Sequence, residues 1–339
     1  MTTPIDWNKD PRVVFRPYLG TAVYDDDIGN IVIHQQTDEF EQNDAKTLVD
    51  VLDRYYEDHA VNLESHADAL ASVNRLKAHF GAFEPSDIGP EAQEGFIAER
   101  RRRRAVSNDT INRDLAILSA ALNRAYARKK IGQPYKVFML PRAEPRDRYL
   151  TREELAKLYK HLRSKTNHKQ SRHLLLFVRI AMNTGARSTA ILQLTWDRVD
   201  FARRTIWFPL PGRRQTKKRR TVISFDHKLL NALLAARKLA DAREKASGVK
   251  STHVIEFQGA PIARIRRAIV RACTAVGIED VSPHTFRHTF ATWAAMGGAH
   301  LPKLGGALGH TNPSTTARYA KYQPEAFADV LRSARKKLR

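Results

Sequence analysis

Three short segments carry polar side chains that their local structure does not need. "SPHTFRHTFATW" places His284, Arg287 and His288 at i, i+3 and i+4, along one side of a helix beginning after Pro283. "NTGARSTAILQLTWDRVDF" places Arg187 between a helix stop and a short apolar helix, where backbone N–H groups also favour an anion. "LGHTNPSTTARYAKY" puts His310 behind a tight turn. Pro313, Ser314, Thr315 and Thr316 then supply a turn and N-cap for a helix carrying Tyr319, with Tyr322 one helical turn further on. Each feature has an ordinary explanation when taken singly: a surface arginine, a turn, a core tyrosine, and for His288 a helix-face histidine that packs or caps.

The combination points elsewhere. Two arginines, two histidines, a lysine-bearing hairpin and a tyrosine share one basic region that has no carboxylate cluster. That set suits phosphoryl transfer to a side chain, with developing charge met by guanidinium rather than Mg²⁺. Two-metal nucleases need clustered Asp and Glu, and none stands at suitable spacing. His284 and His288 have the spacing of two zinc ligands, but the glutamate of H-E-x-x-H is missing and Cys273 is the only cysteine, so no metal is expected. A phenol ionises near ~10, so its reactive form is scarce at neutral pH, and adjacent guanidiniums favour it.

Charge supports a polyanionic partner. The 339 residues carry a formal +22, unevenly spread. Residues 1–60 hold 13 acidic and 5 basic side chains, a net of −8, so the remainder carries +30. Such a field, rich in arginine, suits nucleic acid through phosphate neutralisation and counterion release. No apolar run is long enough to span a bilayer, and the N-terminus lacks a signal-peptide pattern, so a cytoplasmic location with no membrane partner is expected.

The elements that must position these residues are mostly helical. Residues 1–45 read as an acidic, turn-rich extension of unknown role, with β-branched runs around Asp26 and Gly29 that suit a small hairpin. Residues 46–130 read as a helical unit. Leu48, Val51, Leu52 and Tyr55 share one face, a second helix stops at Gly81, and another runs through Ile111, Leu115, Leu118 and Leu122. The run Arg100, Arg101, Arg102, Arg103 and Arg104 would touch phosphates without reading sequence. Residues 131–149, with three prolines, suit a linker. From residue 150 a new unit opens with the Thr151–Glu154 capping-box pattern, followed by Leu155, Leu158 and Leu162 on one stripe. "HLLLFVRIAMN" reads as a buried helix stopping at Thr184-Gly185, and "RRTIWFPLPGRRQTKKRRTVIS" as two strands about a Pro-Gly turn. Helices follow near 227–242, 262–276 and 285–296, and after Pro324. The predicted class is mainly α with a small antiparallel β-sheet.

These motifs resemble the tyrosine recombinase, or phage-integrase, family. The resemblance rests on "TGAR" with its "LQLTWDRVDF" tail, "TKKRRTV" on a hairpin, "HTFRH", and "LGH" with a tyrosine nine residues on, in that order, and covers roughly residues 46–339. It implies a helical core-binding domain over 46–130 and an α+β catalytic domain over 150–339, together forming a C-shaped clamp on double-stranded DNA. It implies that Arg187 and Arg287 grip the scissile phosphate, and that His284 and His310 assist proton movement and hydrogen-bond the phosphate. Lys217 would protonate the leaving 5′-hydroxyl, with Lys218 its competitor on a hairpin about two residues shorter than in many relatives. Tyr319 would attack, giving a 3′-phosphotyrosyl link. That ester stores the bond energy, so rejoining needs neither ATP nor any other cofactor. Arg213, Arg214 and Lys218 are expected on DNA. Ala190 stands where the family often has an acidic residue, which implies altered packing behind Arg187.

The implied activity is site-specific recombination, the integrase of a phage or other mobile element, acting as a homo-tetramer on paired sites with a possible DNA-bending or directionality protein. A type IB topoisomerase-like nicking and rejoining enzyme and a catalytically silent DNA-binding regulator are the rival readings. The C-terminal "QPEAFADVLRSARKKLR" has Phe327, Val330 and Leu331 on one face, suited to docking on a neighbouring protomer or on its own domain.

Overall fold

The computed structural model describes residues 46–103, 105–144, 147–164, 168–212 and 219–323. It also describes, as backbone, two antiparallel strands, β1 (Ala22–Asp25) and β2 (Asn30–Ile33), on either side of Asp26 and Gly29. Arg104, Arg213, Arg214, Lys217, Lys218 and the C-terminal segment from Pro324 lie outside the described residues. The chain divides into two units, Met1–Pro145 and Arg146–Arg339.

The first unit is built on α1 (Leu48–Asp58), α2 (His66–Phe80), α3 (Pro90–Arg103) and α4 (Asn108–Ala127). Helix α1 starts where Thr47 and Asp50 exchange a capping box, and it buries the expected face of Leu48, Val51, Leu52 and Tyr55. Those residues pack with Leu76 and Phe80 of α2, Phe96 of α3, and Ile111, Leu115, Leu118 and Leu122 of α4. The proline-rich stretch after α4 runs extended along this core. Gln93 accepts from the Phe138 N–H and donates to the Lys136 carbonyl, while Asn112 makes the same pair of bonds with Leu140. Two side-chain amides thus stand in for a missing strand partner.

The second unit opens with α5 (Arg152–Arg163), capped by the Thr151–Glu154 box, and α6 (His168–Thr184). Then come α7 (Ser188–Leu192), the antiparallel sheet β3 (Val199–Asp200), β4 (Thr205–Trp207) and β5 (Val222–Ser224), and α8 (His227–Ser247), which ends on left-handed Gly248. A two-residue ladder, β6 (Glu256–Phe257) with β7 (Ala260–Pro261), precedes α9 (Arg266–Thr274). This ladder corrects the expected helix start at 262. Gln258 and Gly259 turn at positive φ, and Ile262 still donates to Ile255, so helix begins only after Ile265. Last come α10 (Pro283–Met296), α11 (Leu301–Leu308) and α12 (Ser314–Ala317). Phe177, Ile180, Ile191, Ile206, Leu233 and Phe286 are fully buried in one core, while Ala291, Ala295, Leu304 and Leu308 form a smaller cluster around Tyr319. Among the described residues no helix is long and apolar enough to cross a membrane.

Candidate active site

The end of α6 sets the geometry. The Thr184 hydroxyl donates back to Ile180, and the Ala186 N–H donates to that hydroxyl, stopping the helix. Gly185 follows at φ +61, where a Cβ would lie 2.4 Å from the Phe290 ring, so no other residue fits. The chain turns here so that Arg187 becomes the N-cap residue of α7. Its guanidinium donates to the carbonyls of Arg219 at 2.7 Å and Gly309 at 3.2 Å. Arg287, one turn into α10 and 4% exposed, donates to Gly185 at 3.0 Å and to Leu308 at 2.7 Å. The two arginines therefore hold neighbouring carbonyls, Leu308 and Gly309, where α11 ends.

Gly309 has φ +67, and a Cβ there would sit 2.3 Å from the Arg219 carbonyl oxygen. The strand leading into β5 passes that close, and the Thr221 hydroxyl reinforces the contact by donating to Ala307 at 2.8 Å. The expected hairpin thus ends against the arginine pair. Ala190, buried in α7, helps line a cavity of about 10 Å³ with Arg187, Arg220 and Arg287, space for roughly one water.

His310 follows the glycine. Its Nδ1 is 2.8 Å from the hydroxyl of buried Thr316, which fixes the ring. Gly305 makes room for that pair, because a Cβ there would meet the Thr316 hydroxyl at 2.7 Å. Tyr319 lies just beyond α12, not within it as expected. That helix has only four residues after Pro313, and the chain passes through Arg318 and Tyr319 into a 3₁₀ turn at Ala320–Tyr322. The tyrosine is 4% exposed, and its hydroxyl shares a 2.7 Å hydrogen bond with Nδ1 of His288. His288, read from the sequence as packing or capping, is the histidine that meets the tyrosine. His284 is exposed, with its ring edge-on to His288 at 4.6 Å. The i, i+4 spacing had placed both on one face without saying which would face Tyr319.

Electrostatics follow from burial among cations. Desolvation lowers the pKa of Arg187. Desolvation and the nearby Arg187 charge together bring Arg287 down to about 10. Burial, helped by His284 and the arginines, holds His288 at about 4, and burial with Arg287 and Arg187 does the same for His310. Both histidines are therefore neutral at physiological pH. Burial outweighs the adjacent arginines and raises the Tyr319 phenol above 10, so it too is neutral.

Of the arginine run, Arg100 turns inward, with a side chain 15% exposed, and shares fully buried Asp114 with Arg75. Arg101 donates to Asn108 and Arg103 pairs with Glu99, while Arg101, Arg102 and Arg103 are exposed. Among the described residues no group of three or more His, Cys, Asp or Glu could hold a metal ion.

The sequence profile of the Phage integrase family matches residues 148–326. The "Tyrosine recombinase XerC" of Thermodesulfovibrio yellowstonii is 28% identical over 262 residues, covering 74% of this chain and 84% of the relative. That of Bifidobacterium longum is 32% identical over 145 residues, 40% of this chain and 39% of the relative. The match to the Corynebacterium efficiens protein spans 31% of that relative's length, so the first of these relatives are matched over only about a third of their sequence. In three dimensions the fold is similar to the Tn1549 transposon integrase in complex with transposon right end DNA, with TM-score 0.66, 19% identity, and coverage of 86% of this chain and 99% of the other. It is also similar to a lambda integrase tetramer bound to a Holliday junction, with TM-score 0.60, 15% identity, and coverage of 93% and 95%. With its profile match spanning more than half of its length, the chain belongs to the phage integrase family.

Proposed function

We propose that this protein is a site-specific DNA recombinase that cuts and rejoins duplex DNA through a 3′-phosphotyrosyl intermediate. The observation that carries this reading is that Arg287 and Arg187 hold the Leu308 and Gly309 carbonyls immediately before His310, which stands nine residues ahead of Tyr319. Two partly desolvated guanidiniums repel each other, and a phosphodiester between them removes that repulsion. Each guanidinium has five N–H groups, and among the described residues two of them serve carbonyls, so donors remain for phosphate oxygens. Neutral His310, fixed at Nδ1, can hydrogen-bond the same phosphate through its other ring nitrogen. His284 fits a supporting contact from the first turn of α10.

In the cleavage step the Tyr319 oxygen attacks phosphorus as its proton passes to solvent water, with His284 and His310 assisting the transfer. The bond to the 5′-oxygen breaks, and Lys217 protonates the departing hydroxyl. The guanidiniums stabilise the charge that grows on the phosphorane-like transition state. Rejoining reverses these transfers on a new strand. Residues 46–130 would form the core-binding half of a clamp, with the exposed Arg101, Arg102 and Arg103 on phosphates. A homo-tetramer on paired sites would exchange strands. Arg213, Arg214 and Lys218 would contact DNA, and an accessory DNA-bending protein would set direction.

The test is a nicked duplex carrying the flanking DNA, scored for a denaturant-stable protein–DNA adduct. Wild type and Tyr322→Phe form the adduct, and Tyr319→Phe does not. An adduct retained by Tyr319→Phe overturns the assignment, as does a wild type that binds its site and never becomes covalent. Joining between two separate sites distinguishes recombination from simple relaxation.

A further inference from the structure

An attack on phosphorus needs the phenol oxygen roughly 3–3.5 Å from it, in line with the leaving group. In this structure Tyr319 is buried and its hydroxyl is taken by His288, although Arg287 stands near enough to act on its charge. The tyrosine ring lies among Ala291, Ala295, Leu304 and Leu308, and no hydrogen bond joins it to Arg187 or Arg287 among the described residues. The backbone on both sides is fastened as well. Asp147 accepts hydrogen bonds from Arg318, at 3.2 Å, and from Lys321. Those residues stand immediately before the tyrosine and two positions after it. Tyr149 packs edge-on against Tyr322, with ring centroids 5.6 Å apart. One short segment at the start of the second unit thus grips the tyrosine-bearing turn at three points.

We infer that Asp147 is the catch of a latch, a positioning residue that with His288 holds Tyr319 in a closed resting place until DNA phosphates take Arg318 and Lys321 from it. The inference rests on Tyr319 being the nucleophile, as proposed above. The chemistry of the catch suits release by DNA. Asp147, Arg318 and Lys321 have side chains 47%, 32% and 52% exposed, so water and salt reach both pairs. Exposed pairs of this kind shift an equilibrium by only about twofold to fivefold each. A duplex offers a row of phosphates that compete for the same two cations at little cost. Tyr319 itself lies outside regular helix, so it can swing without breaking α10 or α11. His288 is neutral, so it holds the hydroxyl without stabilising a phenolate, and the resting tyrosine stays unreactive.

Two measurements on the full chain test this. The first is nitration of DNA-free protein by tetranitromethane, read at Tyr319 by peptide mass spectrometry with exposed Tyr126 of the first unit as internal reference. Asp147→Asn, which weakens both pairs, is expected to nitrate Tyr319 about three- to tenfold faster than wild type, and Lys321→Gln, which removes one pair from the other side of the catch, about two- to fivefold faster. Wild type in 1 M salt is expected to move the same way. The second is the single-turnover rate of covalent adduct formation on nicked DNA, where Asp147→Asn should be faster than wild type at high salt and equal to it at low salt, where DNA phosphates release the latch. Unchanged or slower nitration in both variants, with thermal melting as the folding control, overturns the latch whatever the adduct assay shows. Nitration that responds in a protein that never forms an adduct upholds the catch and overturns the recombinase reading instead.

Discussion

Acidification should destabilise the second unit, chiefly through two histidines, before it protonates most carboxylates. His288 and His310 titrate at about 4 in the folded protein against 6.5 unfolded. A histidine whose folded pKa is depressed binds fewer protons folded than unfolded below 6.5, so stability falls as pH drops through that window and levels off near 4. From pH 7 to pH 5 each fully shifted histidine costs about 2 kcal/mol, with less from His310, whose charge water screens more. Over the same interval most carboxylates stay ionised, which leaves the window to histidine. The assay is urea denaturation at pH 7, 6 and 5 for wild type, His288→Asn and His310→Asn. Asparagine keeps a hydrogen-bonding group near Nδ1 and does not titrate. Wild type should lose roughly 3–4 kcal/mol between pH 7 and 5, and each variant should recover about half of that loss relative to its own value at pH 7. A pH dependence identical in all three proteins would refute the burial argument, because the two rings would then titrate alike whether folded or unfolded.

Other substitutions probe separate parts of the design. Gly309→Ala forces a Cβ to 2.3 Å from the Arg219 carbonyl at a positive φ, and should cost about 2 kcal/mol or more by thermal melting and abolish adduct formation. Arg287→Lys keeps charge but loses the fork that serves Gly185 and Leu308 together, so it should lose about 1–3 kcal/mol of stability and about 10²–10³ in adduct rate. Asp114→Leu leaves Arg75 and Arg100 without their buried partner and should destabilise the first unit by about 3–5 kcal/mol in denaturant melts. Arg102→Ala, by contrast, removes an exposed guanidinium and should leave melting unchanged while lowering the salt slope of DNA binding by about one.

What the sequence makes legible is what neighbouring residues decide among themselves. The spacing of Leu48, Val51, Leu52 and Tyr55 fixes a buried face, and the three-residue reach from Thr151 to Glu154 fixes a helix start, because both interactions close within one turn. The arginine run shows where that logic stops. Helical geometry rotates each successive residue by about 100°, so Arg100 must leave the face that Arg102 occupies, yet its partner Asp114 lies on another helix. The same limit hides α9's late start, which depends on a ladder between Glu256–Phe257 and Ala260–Pro261.

At the site, residue types and order announce phosphoryl transfer, but the partners that tune it are remote in the chain. Arg287 depends on carbonyls 102 and 21 residues away, and Tyr319 on His288, 31 residues back. Asp147 reaches Arg318 across 171 positions and carries no motif at all. A nucleophile motif specifies which atom reacts. It cannot specify where that atom rests, because the resting place is made of side chains whose only shared property is proximity after folding. Under the proposed function, a buried neutral tyrosine is costly to ionise in place and would be cheap to ionise at a phosphate held between the arginines. On that reading, storage and reactivity belong to different positions of one side chain, and the residues that set the first need not resemble those that set the second.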